Sequence, residues 1–246
     1  MIKKVVVAAA GQGTRMLHLT KNKCKHLIKV QKRPFLSYVL DNLFRAGYSE
    51  IILVVGHKEE MIRDFIKSYT SPCSGKSKIV FVSQFDKLGP KEKIYGTACP
   101  LMCVKDIIKE QFLFICGDNL YSVEDLKAMN INDKYNYVAG LRHENPEKYG
   151  VLVNGGEFLQ KIVEKPKKYM GDLINAGMYK FTPEVFSKLS KIKKSPRGEF
   201  EITDAVSLLA KEKKVKVKKI KDYWKDFGNP GDVVKLSKFL KENRNR

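Results

Sequence analysis

Apolar residues along this chain fall into two rhythms. Val5-Val6-Val7, flanked by alanines, is a continuous apolar run such as a strand buried on both faces requires, and it predicts a strand over residues 3–9. From Pro34 to Ala46 the apolar positions recur at helical spacing, closed by Gly47. Ile51 to Val55 predicts a second strand ended by Gly56, and Glu59 to Tyr69 a second helix. A third strand is expected over 79–84, a helix over Thr97 to Ile108 with Pro100 in its first turn, and a fourth strand over Phe112 to Cys116. Strand–helix alternation of this kind implies a parallel sheet covered by helices on both faces. After about residue 130 the spacing shortens: strands are expected at 136–142, 150–154, 158–163, 174–181 and 214–218, and helices at 183–190, 200–212 and 231–243. The expected fold is one three-layer α/β/α domain over 1–246, with a mostly parallel central sheet and an antiparallel elaboration in its second half.

Composition adds a charge excess. Lys plus Arg number 47 against 27 acidic residues, a net +20. The lysines are spread along the chain and form no basic tail or aromatic-interleaved module, so small polyanions are favoured over nucleic acid as partners. No apolar run approaches the roughly 20 residues that span a bilayer, and the N-terminus has no cleavage pattern, so a cytoplasmic location without membrane partners is expected. The five cysteines are odd in number and scattered, which points to free thiols; Cys99 and Cys103 would share a helix face as small core residues.

Ligands of open α/β sheets collect at the carboxyl ends of strands. Three segments fall there: Gly11-Gln12-Gly13-Thr14-Arg15 after the first strand, Gln84 after the third, and Gly117-Asp118 after the fourth. The G-x-G turn can offer backbone N–H groups to phosphate oxygens. It is not a dinucleotide fingerprint, because Met16 stands where a third glycine belongs, and no lysine follows at P-loop spacing. Arg15 and Lys25 bring positive charge to where a triphosphate would lie, and Asp118 is a hard oxygen ligand suited to magnesium. His26, His57 and His143 gather no obvious partners in the sequence and receive no catalytic role.

Gly11-Gln12-Gly13-Thr14-Arg15-Met16 followed by Lys25 resembles the G-x-G-T-R-[LM]…K signature of the sugar-1-phosphate nucleotidyltransferases, also called nucleoside-diphosphate-sugar pyrophosphorylases. The likeness continues in order through "GDNLYS" at 117–122, "YGV" at 149–151, "VEKP" at 163–166, "NAGMY" at 175–179, "RGEFEITDA" at 197–205 and "YWKDFGNPGD" at 223–232. It implies a Rossmann-like fold whose first half, to about residue 130, binds nucleotide and whose second half, to about 230, binds sugar phosphate. The implied reaction joins a nucleoside triphosphate to a sugar 1-phosphate with Mg2+ as cofactor. Arg15, Lys25 and Lys165 are the implied catalytic cations, and Asp118 and Asp226 the metal ligands. Ala9, Ala10, Gly11, Gly13, Thr14, Gln84 and Gly96 are the implied nucleotide contacts, with Gly89 competing for the place of Gly96. Gly150, Glu164 and Asn175 are the implied sugar contacts, while Tyr149 and Trp224 pack beside the site.

The "GDN" form of the metal motif leans towards glucose 1-phosphate with dTTP or UTP, thymidylyl transfer slightly ahead. A cytidylyltransferase acting on a phosphorylated alcohol and a non-catalytic nucleotide-sugar sensor are the rivals, and a homo-oligomer is left open. Cys24 departs from the proline or serine common before the lysine. No hexapeptide-repeat extension follows residue 246, so no attached acetyltransferase is expected. Glu199, Glu201 and Asp204 read as residues that start a helix.

Overall fold

The computed structural model describes residues 1–73, 77–90 and 94–243. The first strand, β1 (Lys4–Ala9), leads through a 3-10 segment, Thr14–Thr20, to a short ribbon of β2 (Lys29–Val30) and β3 (Arg33–Pro34). The α1 helix (Phe35–Arg45), β4 (Glu50–Val55), α2 (Glu59–Ser68) and β5 (Lys78–Ser83) follow. Next come the short helices α3 (Gln84–Leu88) and α4 (Cys99–Val104), then β6 (Phe112–Cys116), β7 (Asn119–Tyr121) and α5 (Val123–Ala128). The second half holds β8 (Asn136–Arg142), β9 (Gly150–Gly155), β10 (Phe158–Glu164), β11 (Leu173–Phe181), α6 (Val185–Leu189) and α7 (Ile202–Lys211). It ends with β12 (Val215–Lys219), β13 (Trp224–Asp226) and α8 (Pro230–Glu242). Residues 244–246, beyond the expected last helix, lie outside the described residues.

Among the described residues nine strands form one sheet in the order β10-β9-β11-β6-β1-β4-β5, with β8 on β11 and β12 on β8. Strands β6, β1, β4 and β5 run parallel; β11 enters antiparallel to β6 and carries the elaboration. The sheet separates two apolar cores. Val5, Val7 and Ala9 point towards α1, α2, α5 and α8, while Val6 points towards α4, α6 and α7. The expected three layers are therefore present, and the apolar runs are the strands covered on both faces.

Two of the differences from the expected boundaries have a local cause in a side-chain hydroxyl. The third strand ends one residue early because the Ser83 hydroxyl accepts the Asp86 N–H at 3.4 Å and caps α3, so Gln84 opens a helix instead of closing a strand. The helix expected over 97–108 contracts to Cys99–Val104. The Thr97 hydroxyl accepts the Ile202 N–H at 2.9 Å, which ties that residue to the neighbouring segment, and Ile107 beyond the helix is 44% exposed. All five cysteines are free, with Cys99 and Cys103 buried as expected.

Leu17 is a local strain point. It holds φ 52 and ψ −128 inside the 14–20 segment, a region that favours glycine, yet its side chain is 67% exposed and packs little. Such a conformation costs on the order of 1–3 kcal/mol in a non-glycine residue. Leu17→Gly is thus expected to raise the melting temperature by a few degrees. An unchanged or lower value in a thermal unfolding scan would show that the position carries no strain.

Candidate active site

A cleft of about 520 Å3 opens at the carboxyl ends of β1 and β6 and runs towards β9, β10 and β11. At one end lies the G-x-G turn, whose two glycines differ. A Cβ on Gly11 would meet nothing within 4 Å, so no protein atom demands glycine there. Gly13 has φ 68, and a Cβ on it would lie 2.8 Å from Lys25 Cβ. The second glycine is what lets the lysine stem pass under the turn. Met16, in the place of a third glycine, is fully buried and anchors the segment through its N–H, which donates to the Gly13 carbonyl at 2.9 Å.

Lys25 is only 6% exposed, and its Nζ donates to Asp118 Oδ2 at 2.6 Å. Burial alone would push the Asp118 carboxyl up, but Lys25 outweighs it and holds the group below the usual carboxylate range. Asp118 sits in the two-residue turn between β6 and β7. Gly117 permits that turn, since a Cβ there would lie 2.7 Å from the Ala8 carbonyl. Asp226 is the last residue of β13, which pairs antiparallel with β7, and the Phe227 N–H donates to the Asp118 carbonyl at 2.9 Å. Phe227 in turn stacks on Phe35 at 4.1 Å within the core. The two carboxylates come together because two three-residue strands pair. Burial first, then the facing Asp118, raise the Asp226 carboxyl to about 6.

The segment after Asp226 is explained by helix capping. The Asn229 side chain accepts the Gly231 N–H at 3.0 Å, Pro230 takes the first helical position, and Asp232 accepts the Gly228 and Asn229 N–H groups at 2.8 and 2.9 Å. Gly228 keeps this turn low beneath Arg15, whose Nη2 would lie 3.4 Å from a Cβ placed there. Arg15 is exposed at the rim, and Thr14 and Ala10 also line the cleft. Ala9, expected among the nucleotide contacts, instead turns its side chain into the core and does not line the cleft. Gln84, 7% exposed, lines the cleft from α3, and Gly96 lines it from the segment before α4. A Cβ on Gly96 would collide with the Phe200 carbonyl at 2.2 Å, so this glycine packs α7's approach against the cleft. Gly89 instead closes α3 with φ 79 and does not line the cleft.

At the other end, Gly150, Glu164, Lys165 and Asn175 all line the cleft. A Cβ on Gly150 would lie 3.0 Å from Glu164 Oε2. Burial raises the Glu164 carboxyl, and Arg197 approaches its Oε1 at 3.4 Å. Lys165 has φ 44 and its N–H donates to the Tyr149 carbonyl at 3.0 Å. The Asn175 side chain is engaged at both ends: Nδ2 donates to the Tyr179 hydroxyl at 2.5 Å, and Oδ1 accepts the Gly177 N–H at 3.0 Å. It shapes the irregular register of β11, and its side chain reaches the cleft already occupied.

Several lining residues had no role assigned from sequence, among them Arg197, Lys148, Tyr95 and Cys116. Arg197 lies inside "RGEFEITDA", whose acidic residues suggest only a helix start; Glu201 in the same motif is a clamp that receives Arg197 at 2.7 Å and the Thr97 and Ser195 hydroxyls. Two histidines do find partners. His26 lines the cleft with Nδ1 3.5 Å from Cys24 Sγ, and burial lowers it to about 4. His143 packs edge-on against Tyr149 and Trp224. No cluster of three or more metal-ligating side chains occurs among the described residues, so a cation here would complete its shell with ligand or water oxygens. No helix among the described residues is long and apolar enough to cross a membrane.

The family model described as Nucleotidyl transferase matches residues 4–243. The chain is 34% identical over 242 residues to the bifunctional protein GlmU of Methanocaldococcus jannaschii, covering 98% of this chain and 55% of that protein. It is 30% identical over 247 residues to the UTP–glucose-1-phosphate uridylyltransferase AglF of Haloferax volcanii, covering 97% of each. This chain thus spans about half the length of the first relative and nearly all of the second. A crystal structure of UDP-glucose pyrophosphorylase complexed with UDP-glucose superposes with a TM-score of 0.83 at 24% identity, covering 99% of this chain and 100% of that one.

Proposed function

We propose, since this chain belongs to the nucleotidyl transferase family, that it transfers a nucleotidyl group from a pyrimidine nucleoside triphosphate to a sugar 1-phosphate. The observation that carries this reading is the grouping of Arg15, Lys25, Asp118 and Asp226 at one end of a single cleft and Glu164 and Lys165 at the other. A phosphate oxygen of the sugar 1-phosphate attacks the α-phosphorus, and the bond from that phosphorus to the oxygen bridging to the β-phosphate breaks. Pyrophosphate leaves with the bonding electrons. The attacking oxygen is already anionic, so positioning and charge neutralisation replace a general base. Arg15, over Gly228, takes the leaving pyrophosphate, and Lys25 takes the phosphates at the reacting centre. Lys165 holds the sugar phosphate and Glu164 accepts sugar hydroxyls. The nucleotide occupies the first half of the chain and the sugar phosphate the second.

The residues present fit magnesium. Among the described residues that line the cleft, five cations, Arg15, Lys25, Lys148, Lys165 and Arg197, face four carboxylates, Asp118, Glu164, Glu199 and Asp226, so these charges nearly cancel before two phosphorylated substrates enter. Asp118 and Asp226 are hard oxygen donors placed side by side, and they would hold the ion. When bound it supplies positive charge at the α-phosphate.

Gln84 reads one edge of the base, and the Ala10-Gly11 backbone bounds the other. UTP and dTTP are both substrates in this reading, within about a hundredfold of each other, because one methyl group discriminates by roughly 1–3 kcal/mol. The full-length likeness to AglF supports glucose 1-phosphate as acceptor and UTP as donor. A matrix of five triphosphates against several sugar 1-phosphates, followed by pyrophosphate release, tests this. Release with pyrimidine triphosphates well above ATP and GTP is expected; ATP as best donor would overturn the base assignment.

Lys165→Ala is expected to raise KM for the sugar phosphate at least tenfold while leaving KM for the triphosphate within about twofold. Binding lost from one substrate alone appears in that substrate's KM. Equal changes for both substrates in steady-state kinetics would contradict its placement.

A further inference from the structure

The position beside Asp118 that a divalent ion would take is held by the protein's own cation. Lys25 Nζ lies 2.6 Å from Asp118 Oδ2, and the lysine is 6% exposed. Its stem is fixed by the Gly13 turn, so the ammonium is delivered to this carboxylate by the fold and not by a flexible surface chain. Asp226, the second carboxylate, sits beside the same pair through the β7–β13 ladder and makes no ion pair among the described residues. His26 adds no charge there, because burial keeps its ring neutral.

We propose that Lys25 is a built-in stand-in for the metal, so that a divalent ion binds Asp118 and Asp226 only once a triphosphate gives Lys25 another anionic partner. This rests on the reading of the cleft as a nucleotidyl transfer site, and it deepens that reading by setting an order of entry. A divalent ion alone must detach a charge-assisted hydrogen bond from a buried lysine and leave the ammonium without a partner, which burial penalises. A triphosphate removes that penalty, since Lys25 moves from carboxylate to phosphate and frees Asp118 in the same event. The two ligands are then positively coupled, and coupling of this kind is reciprocal. The device also keeps the cleft from holding a bare metal ion with water when no nucleotide is present.

The test is Mn2+ binding without nucleotide, read by electron paramagnetic resonance of the free ion, with no turnover involved. Wild-type protein is expected to bind Mn2+ alone weakly, with half-saturation in the millimolar range. Lys25→Met is expected to bind at least tenfold more tightly, and adding Asp118→Asn to it should abolish that gain, which locates the effect at this carboxylate. Lys25→Met binding no tighter than wild type would overturn the proposal. If Lys25→Met fails to fold, Lys25→Gln takes its place. The wild-type arm stands alone in any case, because micromolar affinity for Mn2+ without nucleotide would overturn the proposal by itself. Failure of the functional reading shows elsewhere, as absence of pyrophosphate release in the substrate matrix, so the two outcomes are separable.

Discussion

Asp118→Asn is expected to lower nucleotidyl transfer by about a thousandfold or more, because losing a ligand that anchors transition-state charge costs several kcal/mol. Asp226→Asn is expected to lower it less, by roughly ten- to a hundredfold, since it leaves the Lys25–Asp118 ion pair intact, and a tenfold loss corresponds to about 1.4 kcal/mol. The same Asp226 change should stabilise the ligand-free protein. The folded carboxyl titrates at about 6, above its ordinary 3.8. Between those values the folded chain holds a proton that the unfolded chain has released. This group's contribution therefore falls as pH rises through that window and stays low above it. Two units correspond to an upper bound near 3 kcal/mol, reduced by the group's partial exposure, so a gain of about 1–3 kcal/mol at pH 7.5 is expected. Unfolding curves at pH 4 and pH 7.5 check the sign. The variant's advantage should be present at the higher pH and shrink at the lower one; an advantage confined to pH 4 would contradict the burial and charge assigned to Asp226.

Gly13→Ala and Gly11→Ala are expected to differ sharply although they stand two residues apart. At Gly13 a methyl group meets Lys25 Cβ at 2.8 Å and the backbone must hold φ 68. Left-handed backbone costs a non-glycine residue roughly 1–2 kcal/mol, and the clash adds to it. The displaced lysine should lower kcat by more than tenfold. At Gly11 nothing lies within 4 Å of the added atom. Its melting temperature should stay within about one degree of wild type, while KM for the triphosphate rises, because the only atoms to clash are those of the ligand. Equal stability loss in both variants would mean the turn is built differently.

The larger elements were legible in the sequence because their physics is local. Val5-Val6-Val7 and Phe112 to Cys116 are apolar on consecutive positions and became strands covered on both faces. Gly47 closed α1's turn as expected, with φ 92. The three-residue strands β7 and β13 were not legible, since three residues carry no period, and neither was α3, whose start depends on one hydroxyl at Ser83. Residues of the site were legible as a set because a family motif joins them. Their pairings were not: Lys25 on Asp118 spans 93 residues and Arg197 on Glu164 spans 33, and no local pattern encodes either. Asn175 shows the limit from the other side. The motif implies a sugar contact and Asn175 does line the cleft, but one donor and one acceptor of its amide are engaged by Tyr179 and Gly177.

The central claim is that this cleft moves a nucleotidyl group and not a terminal phosphate. UTP labelled at the α-phosphorus in one reaction and at the γ-phosphorus in another, each with glucose 1-phosphate and Mg2+, separates the two most directly. The account predicts that the α label appears in a nucleotide-sugar and the γ label in pyrophosphate. Appearance of the γ label as inorganic phosphate or on the sugar, with no α label in a sugar product, would contradict it.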